Sequence, residues 1–222
     1  MRIGIDIDGV LTDVIRYACD YGSKYFFDKY GKLDINIDSW SLKDMFNVSD
    51  EEDKECWLKI VDNYAINESA RPFAAEIIDK IKNENNEIYI ITARSSSKWD
   101  DVNGEMNNIL ISWLNNNNIK YDKLIVSKEK LETCKNYKID IMIEDKTENI
   151  NSISTKIPVI CFDANHNKNL KGNNIYRAYS WYDVYYKYLI IKEQIKDEKN
   201  YIYIITARKE PYFKDPYKRW TK

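Results

Sequence analysis

Hydrophobic positions along the chain fall into two periods that alternate over most of its length. Short runs rich in β-branched residues occupy 3–7 (IGIDI), 87–93 (EIYIITA), 121–126, 139–143 (IDIMI), 158–162 (PVICF) and 175–178. Their length and composition predict strands, the last one at a sheet edge. Helical spacing takes over in between. Ile15, Ala18, Cys19, Gly22, Tyr25 and Phe26 predict a helix over 14–30, with Gly31 as its stop. Residues 49–65 predict another: Ser49 and Glu52 have capping-box spacing, and Trp57, Ile60, Val61 and Tyr64 form its apolar stripe. Residues 75–82, 105–115, 131–138 and 181–195 follow as helices, and 40–46 as a short one capped by Ser39 or Ser41. Residues 33–37 form a loop or a small strand.

Strands alternating with helices predict a parallel sheet covered on both faces. The helices between the first strand and residue 71 break that alternation. They predict a small helical cap inserted over one end of the sheet, with residues 1–14 and 72–195 as core, 15–71 as cap and 196–222 as an extension. Pro72 suits the first turn of the helix that re-enters the core.

Composition narrows the class. With 222 residues the chain can bury one sizeable core plus a small insert. A net charge of -2 gives no general attraction to nucleic acid polymers or anionic membranes. No apolar run reaches membrane-spanning length. No signal-peptide pattern precedes the first strand, so a cytoplasmic protein is expected. The four cysteines, Cys19, Cys56, Cys134 and Cys161, are scattered without zinc or redox spacing and are expected as free thiols. One histidine, His166, excludes a histidine-built metal site and is expected on the surface.

The candidate chemistry sits at strand ends. The run IGIDIDGVLTD, residues 3–13, turns polar at Asp6, Asp8, Thr12 and Asp13. Burying carboxylates costs free energy unless they are paired or used, and the C-terminal ends of parallel strands are where open α/β sheets bind ligands. Asp6 and Asp8 are two apart, and Gly9 permits a sharp turn. Two neighbouring carboxylates call for a cation, a shared proton or separate roles. One can attack phosphorus and the other can transfer protons. Magnesium, which takes oxygen ligands and substrate phosphates, suits such a site.

The stretch Asp6-Ile7-Asp8-Gly9-Val10 resembles the first motif of the haloacid dehalogenase-like phosphohydrolases. The next motifs follow in order: Thr92 with Ala93 and Arg94 closing IYIITAR, a lysine before the Cys134 helix, and Glu144-Asp145 after IDIMI. The resemblance spans about residues 1 to 192. Cys161-Phe162-Asp163-Ala164-Asn165, Arg177 and Ser180-Trp181-Tyr182-Asp183 resemble a bacterial nucleotidase group. More distantly, the chain resembles cytosolic 5'(3')-deoxyribonucleotidases.

The resemblance implies an α/β fold, a three-layer Rossmann-like parallel sheet with a helical cap after the first strand. It implies a magnesium-dependent phosphomonoester hydrolase using an aspartyl-phosphate. Asp6 is then the nucleophile, Asp8 the acid and base, and Thr92 and Lys130 the groups that hold transferred charge, with Ala93 and Arg94 beside the substrate. Lys128 is the reserve for Lys130, and Lys135 reads as surface. Asp6, the Asp8 carbonyl and Asp145 would hold the metal, with Glu144 a ligand or its water-mediated neighbour. Neighbouring strand residues point oppositely, so Glu144 and Asp145 can share a site only where the strand has ended.

The implied partner is a small phosphorylated substrate, first a nucleoside or deoxynucleoside monophosphate. A sugar phosphate or other small metabolite is the alternative, and a nucleotide-binding protein without turnover is the alternative outside enzymes. Oligomerisation stays open. Arg16, Trp40, Trp57 and Arg71 are read as packing or surface charge. YIYIITARK, residues 201–209, echoes the second motif and reads as an added edge strand or an exposed tail.

Overall fold

The computed structural model describes residues 1–39, 41–94 and 105–207. Trp40, the polar loop with its three serines and Trp99, and the chain from Arg208 onward lie outside the described residues. Six strands form one sheet: β1 (Arg2–Ile5), β2 (Glu87–Thr92), β3 (Lys123–Val126), β4 (Ile141–Glu144), β5 (Val159–Phe162) and β6 (Ile175–Ala178). Their order is β3-β2-β1-β4-β5-β6, every pair parallel. β1 is therefore central, and the order reverses beside it, which opens a crevice at the strands' C-terminal ends.

Alternation along the strands sets the layers. Tyr89 and Ile91 of β2 join Met142, Val159 and Cys161 in one core cluster with Cys134, Ile150 and Ile153. Those last three come from α6 (Lys130–Tyr137) and α7 (Thr147–Ile153), which cover that face. Ile88 and Ile90, pointing the other way, are equally buried, as are Ile77, Ile78 and Ile81 of α4 (Ala74–Lys82). α5 (Glu105–Asn116) completes the core helices before β3.

Three helices are inserted between β1 and α4: α1 (Val14–Tyr30), α2 (Leu42–Phe46) and α3 (Asp50–Asn67). They share a small core of their own, built on Tyr17, Phe26, Leu42, Met45, Phe46, Cys56, Ile60 and Tyr64. Gly31 ends α1 as the sequence predicted, in the left-handed conformation. Ser49 and Glu52 close the expected capping box on α3, and Ser41, not Ser39, caps α2. Pro72 differs from expectation. It sits in a turn before α4, whose N-cap is Phe73 at φ 66°. Arg71 behaves as packing: it bonds Asp13 at 2.9 Å and the Thr12 carbonyl at 3.2 Å, and its guanidinium lies 4.8 Å from the Phe162 ring centre. Arg16 is surface charge, paired with Asp20.

The chain divides into two compact units, Met1–Lys187 and Tyr188–Lys222, and α8 (Trp181–Ala207) runs through the boundary. In the second unit the helix carries a Lys196–Glu193 pair at 2.9 Å. Residues 201–207 are helical, so the edge-strand reading of this segment is corrected. Their β-branched residues favour a strand only weakly. Extending an existing helix needs no new nucleus, and that advantage outweighs the preference. The four cysteines are free thiols. Among the described residues no helix is long and apolar enough to cross a membrane.

Candidate active site

The first motif leaves the strand at once: β1 ends at Ile5, and residues 6–13 form a tight loop. The Ile7 carbonyl accepts the N–H groups of Val10, Leu11 and Thr12 at 3.2, 2.8 and 3.0 Å. Gly9 makes this turn at φ +81°. A Cβ there would overlap the Asp145 carboxylate, so only glycine lets β4's end lie over the loop.

Asp6 is 5% exposed. Its Oδ1 accepts the Ile7 N–H at 2.8 Å, and its Oδ2 meets Lys130 Nζ at 2.5 Å. Lys130 also reaches Glu144 Oε2 at 2.7 Å and is itself buried. Of the two lysines left open by the sequence, Lys130 is thus the one between carboxylates. Lys128 is exposed at the cavity wall, and Lys135 pairs with Glu132 on a helix surface. Burial and the nearby Glu144 hold the Asp6 carboxyl well above the usual range, against the pull of Lys130. Burial would lower Lys130, but Asp6 and Glu144 raise it, so it stays charged.

Glu144 is the last residue of β4 and Asp145 the first beyond it, so their side chains escape strict alternation. Glu144 Oε1 accepts the Asp145 and Lys146 N–H groups at 3.2 and 3.0 Å, which leaves it tied to lysine and backbone. Asp145 faces the cavity beside His166, whose Nε2 lies 3.4 Å from its Oδ2 and 3.0 Å from its carbonyl oxygen. Burial raises the Asp145 carboxyl, and Asp6 adds to this against His166. The surface expectation for His166 is corrected, because its loop follows β5 at the active end and turns the ring inward. Carboxylate oxygens of Asp6, Glu144 and Asp145 come within 4.8 Å of one another, all three residues buried. Three hard oxygen donors against one lysine fit a small divalent cation such as magnesium.

Asp8 keeps 34% of its side chain exposed. Arg94 grips it with Nη2 at 2.5 Å and Nε at 3.2 Å from Oδ1, and Tyr64 donates to the same oxygen at 2.6 Å. Burial pushes the Asp8 carboxyl up, but Arg94 and Tyr64 together carry it below the usual range. Arg94 Nη1 is buried with no hydrogen-bond partner among the described residues. Thr92 is fully buried at the end of β2, and its Oγ1 accepts the Arg94 N–H at 3.0 Å. Ala93 and Arg94 line the cavity in front of it.

That cavity, about 1010 Å³, separates the acidic floor from the inserted helices. Val14, Ile15, Leu42, Trp57 and Val61 make an apolar wall, with Asp38, Ser41 and Asp53 also lining it. Trp57 therefore both packs in the helical cluster and faces the cavity. Sequence reasoning missed the polar ends of Tyr64 and His166. The usable signal for His166 was its place in the loop after a predicted strand.

Comparison with known proteins agrees with this arrangement. A nucleotidase of Clostridium acetobutylicum is 28% identical over 188 residues, covering 83% of this chain and 92% of that protein. YqfW of Bacillus subtilis, named as a candidate nucleotidase, is 29% identical over 188 residues, covering 82% of this chain and 90% of its own. Among solved structures, a β-phosphoglucomutase from Clostridium difficile shares the fold at a TM-score of 0.53 and 20% identity, covering 87% of this chain and 98% of that one. A haloacid dehalogenase-superfamily hydrolase from Geobacter sulfurreducens does so at 0.52 and 13%, covering 83% and 94%. The profile of one family, described as 5' nucleotidase, deoxy (pyrimidine), cytosolic type C protein, matches residues 1–195. The chain belongs to that family, and with its buried acidic cluster it is a hydrolytic enzyme of the phosphatase type.

Proposed function

We propose that the chain hydrolyses nucleoside or deoxynucleoside monophosphates through an aspartyl-phosphate on Asp6, with magnesium. The observation that carries this reading is the Lys130 bridge between Asp6 and Glu144 at the floor of a cavity whose opposite wall is apolar. Lys130 opposes the burial that raises the Asp6 carboxyl, and it offers charge to the phosphoryl oxygens. Asp6 oxygen forms a bond to phosphorus as the bond to the ester oxygen breaks. Asp8, ionised in the free enzyme, takes up a proton as the phosphate binds and hands it to this oxygen as it leaves. In the second half, Asp8 takes a proton from water, the water oxygen bonds to phosphorus, and the Asp6–phosphorus bond breaks to release phosphate.

Asp6, the Asp8 carbonyl and Asp145 would hold magnesium, with Glu144 beside them fixed by Lys130 and backbone amides. Bound there, the ion supplies charge neutralisation of the phosphoryl oxygens. Ala93 and Arg94 face the substrate, and the free Nη1 of Arg94 is a donor available to a phosphoryl oxygen. The Thr92 hydroxyl accepts from Arg94, which leaves its own proton to donate toward that turn.

A nucleotide is favoured by the wall opposite. Trp57, Leu58, Val61 and Ile15 offer a face for a flat base, and Asp53, on the same wall, offers an acceptor for a base N–H. The helical region over residues 15–71 serves as the cap, and the core over 1–14 and 72–195 carries the chemistry. The names of the relatives point the same way. A cytoplasmic site of action fits such a substrate. The test is phosphate release from a panel of nucleoside monophosphates and sugar phosphates, with and without magnesium. Magnesium-dependent release, greatest from the nucleotides, is expected. Release from sugar phosphates alone would overturn the substrate, and none from any member would overturn the activity.

A further inference from the structure

Tyr64 projects from α3, in the inserted helical region, onto the catalytic loop 56 positions earlier in the chain. Its hydroxyl lies 2.6 Å from Asp8 Oδ1 and 2.6 Å from Thr12 Oγ1. Thr12 Oγ1 in turn lies 3.2 Å from the Ile7 carbonyl oxygen, an acceptor only. The Tyr64 ring is fixed on its sides. The Tyr17 ring centre is 4.9 Å away, that of Trp57 5.9 Å, and the Arg94 guanidinium stands 4.8 Å over its face. Tyr64 is 2% exposed and Thr12 fully buried, so solvent does not replace either hydroxyl.

We propose that Tyr64 is the positioning residue of the Asp8 acid–base group, holding one carboxylate oxygen so that the other is the one that exchanges protons. The proposal rests on the reading of Asp8 as proton donor and acceptor. Tyr64 donates to Asp8 Oδ1, and the shortest Arg94 contacts fall on the same oxygen, which leaves Oδ2 to meet the ester oxygen or water. Thr12, between the Tyr64 hydroxyl and the Ile7 carbonyl, fixes the direction of the Tyr64 hydroxyl. Removing either hydroxyl leaves a buried polar group short of a partner and loosens the hold on Asp8. Tyr64 is therefore the contact that holds the Asp8 side chain in place throughout the cycle. Because it comes from α3, seating the inserted helices over the floor also sets the aim of Asp8.

The consequence is selective. An alkyl ester oxygen, as in a nucleotide, needs a proton to leave, whereas the weakly basic p-nitrophenolate does not. Rapid-quench measurement of the first phosphoryl transfer from both kinds of ester tests this in Tyr64→Phe and Thr12→Val. Tyr64→Phe is expected to slow transfer from a nucleoside monophosphate by about tenfold to a hundredfold, a part of what general acid catalysis supplies. Its p-nitrophenyl phosphate burst and its KM should stay within about threefold of wild type. Thr12→Val should show the same selectivity with a smaller loss, and Thr12→Ser should restore the rate. Thr12→Val carries the test alone should Tyr64→Phe fold poorly. An equal loss on both esters, or none on either, overturns the positioning role while leaving the phosphatase reading intact. A wild type that transfers phosphoryl from neither ester overturns that reading and the proposal with it.

Discussion

Lys130→Met removes the lysine that bridges the acidic floor while keeping a side chain of similar length. Lys130 is 3% exposed and meets Asp6 at 2.5 Å and Glu144 at 2.7 Å, so both carboxylates lose their cation without gaining water. Two unit charges 4.8 Å apart, the limit of the acidic cluster, repel by about 3.5 kcal/mol at an effective dielectric of about 20. Breaking a buried pair from one side typically costs about 3–5 kcal/mol. We expect a loss in that range near about pH 8 without divalent cations, within the roughly 5–15 kcal/mol that holds a domain together. The pH dependence has a definite sign. Asp6 already sits above its unfolded value, so the folded state binds more protons and stability falls as pH rises through the folded pKa. Loss of Lys130 pushes Asp6 further up, so the deficit should shrink toward about pH 5 by about 1.4 kcal/mol per added pKa unit. Urea unfolding followed by tryptophan fluorescence reads this directly. Lys128→Met, at an exposed position, is the control and should change stability by less than about 0.5 kcal/mol. A Lys130→Met loss no larger than the control's, or a loss that grows as pH falls, would refute the bridge.

Gly9→Ala should cost about 1–2 kcal/mol from its left-handed backbone and also displace the Asp145 carboxylate, abolishing stabilisation by magnesium. Gly31→Ala, at φ +68° with open space around it, should show the strain alone and keep the magnesium response in the same thermal melts. In the wild type, magnesium must displace protons from Asp6 and Asp145, both held above the usual range, so its stabilising effect should grow with pH. At about a hundredfold excess over Kd the gain is about 2.7 kcal/mol. Thermal shifts and calorimetric proton release in two buffers measure this, and equal shifts at low and high pH would contradict it.

Most of the fold was legible because the strands announce themselves by short apolar runs and the longer helices by their spacing and caps, whereas α7, seven residues with two buried isoleucines, was too short to show a period. Ser49 with Glu52 and Gly31 placed two boundaries from local chemistry alone. Asp6, Asp8 and Asp145 were legible because a carboxylate at the end of a buried strand is costly unless a cation, a lysine or a substrate meets it there. The partners that give those residues their properties were not. Arg94 reaches Asp8 across 86 positions, and Thr12 meets Tyr64 across 52. No local period carries such contacts. Tyr64 counted as apolar in its helix stripe because its ring is apolar and periodicity does not register the hydroxyl. Local propensity also misled at residues 201–207, where a strand-like composition continues a helix already begun. The choice of Lys130 over Lys128 rested on the resemblance, because the contact with Asp6 that separates them joins residues far apart in the chain and no local pattern carries it.

Whether Asp6 carries the phosphoryl group decides the mechanism. Acid quenching of the enzyme during turnover of a nucleoside monophosphate, followed by peptide mass analysis, reads this out. One added phosphoryl group is expected on the peptide containing Asp6, dependent on magnesium and absent together with turnover in Asp6→Asn. Turnover that persists in Asp6→Asn, or a phosphoryl group found on another residue, would contradict the aspartyl-phosphate route.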